Sequence, residues 1–479
     1  MARTKIVCTI GPASRTPESL EQLIRAGMNV ARLNFSHGTH AEHREVIATI
    51  RRVAAQLDRP VAILQDLAGP KIRIGDIEDG SVMLEPGALF TLTTRPVAGN
   101  QQQVSISYAG LPEDVQPGDT LLLSDGSLEL EVVSTTEEEI QCRVIVGGLL
   151  SSRKGINLPA RSIKAPSLTD KDRADLVFGI EQDVDYVALS FVRTAADVEQ
   201  AKQFMRECGH MIPLIAKVEK HEALLNIDEI VQAADGLMVA RGDLGVETPL
   251  EKVPRVQKRL IEKANRAGKP VITATQMLRS MVDSPRPTRA EVTDVANAIL
   301  DGTDAVMLSE ETAVGKYATE AVVVMRRIAE DIEAAFPFTN WMQRFDREGD
   351  PPLPEAVGYA ACNLAERIRA AAIITFTQSG STAQLVAKYR PGRVILAPTP
   401  LEKTYRRLAL VWGVTPILSE EMRNTDEMID KAFAAALKSG LVQPGQRVVI
   451  TAGVPVGVSG TTNLIKAEVL KQTTVANDE

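Results

Sequence analysis

The chain has 479 residues, 44% of them apolar, and carries 54 Lys and Arg against 62 Asp and Glu, for a net charge of -8. That length predicts roughly two to four domains rather than one simple core, and the acidic balance excludes a general nucleic-acid surface, so any anion site must be a local concentration of Lys and Arg. No apolar stretch reaches the roughly 18 residues that a membrane span needs and no N-terminal segment joins a basic start to an apolar core, so a cytoplasmic protein with no membrane or nucleic-acid partner is expected.

From the N-terminus, apolar runs at Lys5 to Ile10, Asn29 to Asn34 and Val61 to Asp66 alternate with helical patterns around Glu18 to Ala26 and Glu42 to Leu57. A second set follows at Asp185 to Ser190, Leu214 to Glu219, Leu237 to Ala240, Val271 to Thr275 and Ala305 to Ser309, again with helix-length segments between. Eight strands alternating with helices predict an α/β fold, a closed (β/α)8 barrel whose chemistry sits beyond the C-terminal strand ends. Polar residues fall at those ends: Arg32, Asn34 and Ser36; Asp66; Ser190; Lys217 and Glu219; Arg241 and Asp243; Thr275; Ser309 and Glu310. Any single one of them is also what a wet loop carries. Cys8, Cys142, Cys208 and Cys362 lie far apart without zinc spacing and read as reduced packing residues.

Between the third and fourth strands, Lys71 to about Ser167 holds short alternating runs, Ala88 to Thr93, Thr120 to Leu123, Leu128 to Val133 and Ile140 to Val146, punctuated by Pro-Gly and Asp-Gly turns. This predicts a small inserted β-barrel domain, 71–167, over the mouth of a barrel made of 1–70 and 168–338, with hinges at Gly69-Pro70 and Gly155 to Pro159. Beyond Asp350-Pro-Pro-Leu-Pro354, apolar runs at Ala372 to Thr377, Val394 to Pro398, Thr415 to Leu418, Val448 to Thr451 and Asn463 to Leu470 predict an open α/β domain over 350–479.

Lys217 and Glu219 carry the chemistry most directly. In a strand, residues two apart share a face, so an ammonium and a carboxylate point together, which is costly unless they grip each other, a metal or an anion. Asp243 ends the next run. Glu219 and Asp243 holding a divalent cation beside Lys217 would suit phosphoryl transfer, although a simple Lys217–Glu219 ion pair fits the same pattern. A barrel lyase using Mg2+ to stabilise an enolate also brings carboxylates and an Arg to strand ends.

With these pieces placed, the whole chain resembles pyruvate kinase. The motifs are Ala31-Arg-Leu-Asn-Phe-Ser-His-Gly38, Asp66 to Arg73, Arg153-Lys-Gly-Ile-Asn-Leu-Pro159, Ile215-Ala-Lys-Val-Glu219, Ala240-Arg-Gly-Asp-Leu-Gly245, Ala274-Thr-Gln-Met-Leu278 and Met307-Leu-Ser-Glu-Glu-Thr312. The resemblance implies transfer of phosphate from phosphoenolpyruvate to ADP, giving pyruvate and ATP, with Mg2+ or Mn2+ on Glu219 and Asp243 and a homotetrameric assembly. It places Lys217 on the phosphoryl group, Arg32 and Arg73 around the phosphates, and Thr275 beside the enolpyruvate. Gly242 would turn its backbone N–H toward the substrate carboxylate in a short turn, while Lys154, Asn34 and His37 would line the nucleotide side.

Many members of the family need K+, coordinated by the positions matching Asn34, Ser36, Asp66 and the Leu67 carbonyl, and carry Glu where this chain has Lys71. A lysine ammonium is a tethered monovalent cation, so activity without K+ is expected. Thr377-Gln-Ser-Gly-Ser-Thr382 joins a strand to a helix and can act as a phosphate cradle or as a plain helix cap. The resemblance implies an allosteric effector there, held by Thr377, Ser379, Gly380, Ser381 and Thr382. Because Ala452-Gly-Val-Pro-Val-Gly-Val-Ser-Gly460 offers no cation for a second phosphate, a sugar monophosphate or AMP is expected over fructose 1,6-bisphosphate.

Overall fold

In the computed structural model, residues 2–158, 166–345, 349–422, 424–455 and 460–470 are described. Eight parallel strands, Lys5–Thr9, Val30–Asn34, Ala62–Asp66, Tyr186–Leu189, Leu214–Val218, Gly236–Ala240, Val271–Ala274 and Ala305–Leu308, close into a barrel in which each pairs with its neighbours in sequence and the last pairs with the first. Helices between them start at side-chain caps. Thr39 with Glu42 opens His40–Gln56, Thr169 with Asp172 opens Asp170–Glu181, and Thr288 with Glu291 opens Arg289–Asp301; each pair satisfies N–H groups that a helix start leaves free.

One parity of each strand faces the barrel axis, and its character changes with height. Val7, Val30, Ala62, Leu64, Tyr186, Ala188, Ile215, Met238, Ile272 and Ala305 pack in the lower interior. Two residues further up the same stripes stand Thr9, Arg32, Asp66, Ser190 and Lys217. The interior is therefore a packed core below and a charged cup above.

The insertion is all-β. Its six-stranded sheet runs Ile156–Asn157, Thr120–Leu123, Leu128–Thr135, Glu139–Val146, Leu89–Thr93 and Gln103–Ser105, with a separate pair, Ser81–Leu84 and Gly148–Ser151. Inward residues such as Phe90, Leu92, Leu121, Leu130, Ile140 and Val144 form their own core. Five of these strands have only two to four residues; of these, Thr120–Leu123 matches an expected run and the other four are too short for period-two alternation to reveal them. Pro159, the end of the expected returning hinge, lies outside the described residues.

The C-terminal sheet is ordered Val414–Leu418, Val394–Thr399, Ala372–Thr375, Arg447–Gly453, Thr462–Val469, the last strand antiparallel. It docks against the barrel's lower end. Ala409 and Leu410, in a short 3-10 turn, pack among the lower interior residues of the barrel, and the Tyr186 hydroxyl donates to the Arg407 carbonyl at 2.9 Å. Arg390, 1% exposed, reaches from this domain to Asp304 Oδ1 at 3.0 Å, the Gly302 carbonyl at 2.8 Å and Asn265 Oδ1 at 3.1 Å, with its guanidinium 4.6 Å from the Trp412 ring centre. Among the cysteines, Cys8, Cys142 and Cys362 are buried as expected, but Cys208 is exposed, because it lies just past the helix Ala195–Glu207.

Breaking a buried ion pair typically costs about 3–5 kcal/mol because the remaining charge is stranded. Arg390→Met is therefore expected to loosen the C-terminal domain from the barrel, seen as a lower urea midpoint and faster proteolysis between residues 340 and 410, with the far-ultraviolet circular dichroism retained. An unchanged midpoint would show that Arg390 does not hold the two together.

Candidate active site

At the upper end of the barrel, side chains from the second, third and fifth strands meet. Asp66, 1% exposed, accepts from Arg32 Nε at 2.6 Å and lies 3.1 Å from Lys217 Nζ. Lys217 Nζ also lies 3.0 Å from Glu219 Oε1 and donates to Ser190 Oγ at 2.7 Å. The ion-pair reading of the Lys217–Glu219 pattern is thus present, with both side chains at the charged end of the barrel. Arg32 Nη1 donates to Thr9 Oγ1 at 2.9 Å, and Ser190 Oγ donates to the Leu67 carbonyl at 2.7 Å.

Electrostatics follow from this contact set. Burial works against the Lys217 ammonium, yet the carboxylates of Asp66 and Glu219 outweigh it and raise its pKa above the ordinary value. Lys217 is therefore a fixed cation, not a base. Burial also pushes Asp66 toward its neutral form, but Lys217 and Arg32 overcome it and leave its pKa lowered. Glu219 differs: burial raises it, and Asp243 adds repulsion in the same direction, against the pull of Lys217 and the Phe191 N–H at 2.8 Å. Two carboxylates that repel each other across a cup are a donor set for a hard divalent cation. Lys71 Nζ, 2.9 Å from Asp243 Oδ1, partly neutralises the pair.

Asp243 and Gly242 do not lie in a turn, as expected from the Arg-Gly-Asp sequence. They begin a seven-residue helix, Arg241–Glu247, that starts directly from the sixth strand. Beside it, just past the seventh strand, stand Thr275 at φ +77° and Gln276 at φ +55°. A β-branched residue with positive φ is strained by roughly 1–3 kcal/mol, and Arg241 holds it there: Nη2 donates to the Thr275 carbonyl at 2.7 Å, Nε to the Ala274 carbonyl at 3.2 Å, and Nη1 to Asp294 at 2.7 Å. A Cβ on Gly242 would stand 2.7 Å from Thr275 Cγ2, so glycine is what lets the helix start lie against the threonine.

This constellation sits on a chain with clear relatives. A family profile described as "Pyruvate kinase, barrel domain" matches residues 1–322, and a second, "Pyruvate kinase, alpha/beta domain", matches 355–467. The chain belongs to the pyruvate kinase family. "Pyruvate kinase 2" of Synechocystis is 51% identical over 98% of this chain and 79% of the relative, and the pyruvate kinase of Geobacillus stearothermophilus is 51% identical over 98% and 80%. The crystal structure of a pyruvate kinase from Cryptosporidium parvum superposes with a TM-score of 0.92 at 40% identity, covering 98% of this chain and 96% of that one. This chain is accordingly a phosphotransferase acting between phosphoenolpyruvate and ADP, and the family depends on a divalent metal.

Other expected residues are more dispersed. Asn34 Oδ1 accepts from the Ser36 N–H at 3.1 Å. Asn34, Ser36, Asp66 and Leu67 lie at the ends of the second and third strands, whereas Lys71 reaches Asp243 and packs its Cε beside Gly155. Its ammonium thus meets Asp243, not the Asn34, Ser36, Asp66 and Leu67 group beside which the sequence places it. His37 and Lys154 are exposed, and Arg73 Nη1 donates to the Arg153 carbonyl at 3.2 Å. In the C-terminal domain Thr377 and Thr382 are buried and committed, Thr377 Oγ1 accepting from the Gly380 N–H at 2.9 Å and Thr382 Oγ1 pairing with Thr462 Oγ1 at 2.8 Å. Gly380, at φ +92°, precedes the helix Ser381–Lys388, whose first residues have no side-chain cap. Residues 456–459, within the Ala452 to Gly460 segment, lie outside the described residues.

Ser190 and Arg241 were visible only as polar residues at strand ends, and nothing in their spacing marks Ser190 as the acceptor for Lys217 or Arg241 as the clamp on Thr275. Gly242→Ala should force the helix start and Thr275 apart. Since a displacement of about 1 Å at a reacting site can cost roughly 100-fold, steady-state kinetics should show kcat falling by that order with little change in thermal midpoint. A variant with wild-type kcat would remove Gly242 from the site.

Proposed function

We propose that phosphoryl transfer takes place in the cup bounded by Lys217, Glu219, Asp243, Arg32 and Thr275, and the observation that carries this is the buried Lys217 ammonium held between two carboxylates at 3.0 and 3.1 Å. In the reaction the bond between the enol oxygen and phosphorus breaks, a bond from phosphorus to a terminal phosphate oxygen of ADP forms, and the enolate takes a proton on its methylene carbon. Negative charge spreads over the phosphoryl oxygens in flight, so fixed cations and in-line placement supply the catalysis. Lys217 is the cation we assign to those oxygens. Its position is fixed in advance by Asp66 and Ser190, so no reorganisation is needed when charge develops.

Glu219 and Asp243 are the residues we assign to Mg2+ or Mn2+, both offering carboxylate oxygens from separate segments. The bound cation supplies charge neutralisation to phosphoryl and carboxylate oxygens of the substrate. Arg32, anchored on Asp66 and Thr9, presents its fork to the phosphoryl group. The backbone N–H groups at Gly242 and Asp243, at the start of the helix, are suited to the substrate carboxylate. Thr275, held out by Arg241, is the residue we place beside the methylene carbon, where a water on its hydroxyl delivers the proton that traps the enol as the ketone.

Arg73 and Lys154, on the inserted domain, and Asn34 and His37 on the rim form the proposed nucleotide side, completed when 71–167 closes over 1–70 and 168–338. Lys71 is our candidate for the charge that K+ brings to relatives. Asp66 and the Leu67 carbonyl already receive protein donors, and Lys71 sits on Asp243, which supports turnover without K+. The uncapped start of Ser381–Lys388, with Ser379, Gly380 and Ser381 around it, supports an effector phosphate in the 350–479 domain, a sugar monophosphate or AMP. We take the working assembly to be a homotetramer in the cytoplasm; no described helix is long and apolar enough to cross a membrane.

A pyruvate-release assay with phosphoenolpyruvate, ADP and Mg2+ tests the site. Lys217→Ala should lose at least the roughly 10²- to 10³-fold typical of one preorganised contact, and wild-type turnover should be substantial in buffer free of K+ and NH4+. A many-fold rise on adding K+ would overturn the role of Lys71. Saturation binding should rank a sugar monophosphate or AMP above fructose 1,6-bisphosphate, and the reverse order would refute the effector assignment.

A further inference from the structure

Immediately behind the catalytic cup, the segment after the fifth strand and the far end of the helix Arg241–Glu247 bring together His221, Glu222 and Glu247. His221 Nδ1 lies 3.2 Å from Glu222 Oε2 and 3.7 Å from Glu247 Oε2, and ligand atoms of all three fall within 4.8 Å of one another. Glu222 is 9% exposed and Glu247 4%. His221 Nδ1, both oxygens of Glu222 and Oε2 of Glu247 are buried without a hydrogen-bond partner. The other Glu247 oxygen is fully occupied, by Lys220 Nζ at 2.6 Å and Asn157 Nδ2 at 3.2 Å.

We propose that His221, Glu222 and Glu247 form a second divalent-cation site, separate from Glu219 and Asp243, that takes an ion of the Zn2+ class. Buried lone-pair atoms from three residues, within 4.8 Å of one another, need positive charge between them. A single proton on Nδ1 serves one carboxylate oxygen and leaves the rest unpartnered. A metal serves all three residues at once. Lys220 offsets one of the two carboxylates, so the cluster keeps a buried negative charge that a cation removes. With metal–ligand distances of about 2.0–2.2 Å, a tetrahedral ion spaces its ligands by about 3.3 Å, close to the separations observed. An imidazole nitrogen with carboxylates selects Zn2+ or a neighbouring transition metal over Mg2+, which prefers an all-oxygen octahedron. The ion would tie residues 219–222 to the helix 241–247, the two segments that also carry Glu219 and Asp243, and it would do so beside Asn157 of the inserted domain.

The test is zinc content of the full chain after dialysis against Zn2+ in a large excess of Mg2+, which occupies the catalytic pair. Wild type and Glu219→Gln should each retain one equivalent, and His221→Gln and Glu222→Gln should bind at least about tenfold more weakly, the lower end of what disturbing a metal site costs. X-ray absorption on zinc-loaded wild type should show one imidazole nitrogen with oxygen ligands, a readout that stands even where a variant fails to fold. Retention of no zinc by wild type, equal retention by His221→Gln, loss of the ion in Glu219→Gln alone, or an oxygen-only coordination shell would each overturn the proposal.

Discussion

Asp66 is a buried carboxylate touched by two cations from two other strands, Arg32 and Lys217. Alone in that position it would be driven to its neutral form; with its partners it stays charged and in turn holds both of them in place. Lys217 is then fixed by a second carboxylate, Glu219, and by Ser190. Three staves of the barrel are joined by charge at the level where their apolar stripes end. Removing the Asp66 carboxylate would take the ion-pair partner from Arg32 and leave Lys217 with Glu219 alone, so the geometry of the cup depends on this one group.

The remainder of the mouth is built from backbone that is costly to hold. Thr275, Gln276 and Phe191 all have positive φ, and two of these positions, Phe191 and Thr275, are tied to charged side chains of the mouth. The Phe191 N–H meets Glu219, and Arg241 secures the Thr275 carbonyl. Lys71, Lys217 and Arg32 match Asp66, Glu219 and Asp243 charge for charge, so the protein side of the cup is neutral before ligands arrive. A divalent ion and an anionic substrate can then enter as a nearly balanced pair, which keeps the cost of burying them low.

Much of this could be read from residue order. Strand parity alone put Lys217 and Glu219 on one face, because a strand leaves no alternative, and apolar runs ending on polar residues located the eight staves to within a residue or so. What could not be read depends on contacts between distant segments. Nothing local to Lys71 says that its ammonium will meet Asp243, 172 residues away, and the Arg-Gly-Asp triplet reads as a turn until the packing of Gly242 on Thr275 shows a helix start. Apart from Thr120–Leu123, the two- to four-residue strands of the insertion carry too few positions for a period to emerge. Cys208 reads as a packing residue because cysteine usually is one; its place after a helix end puts it at the surface.

The 3-10 turn that sets Ala409 and Leu410 into the lower interior makes the catalytic barrel a vessel stoppered by another domain. Everything small that reaches the charged cup must come and go through the rim shared with the inserted domain. A chain cut before residue 400 would lose its cork as well as much of its C-terminal sheet, exposing the undersides of Tyr186, Ile215 and Met238 to water, so the barrel and the C-terminal domain are bound to persist together.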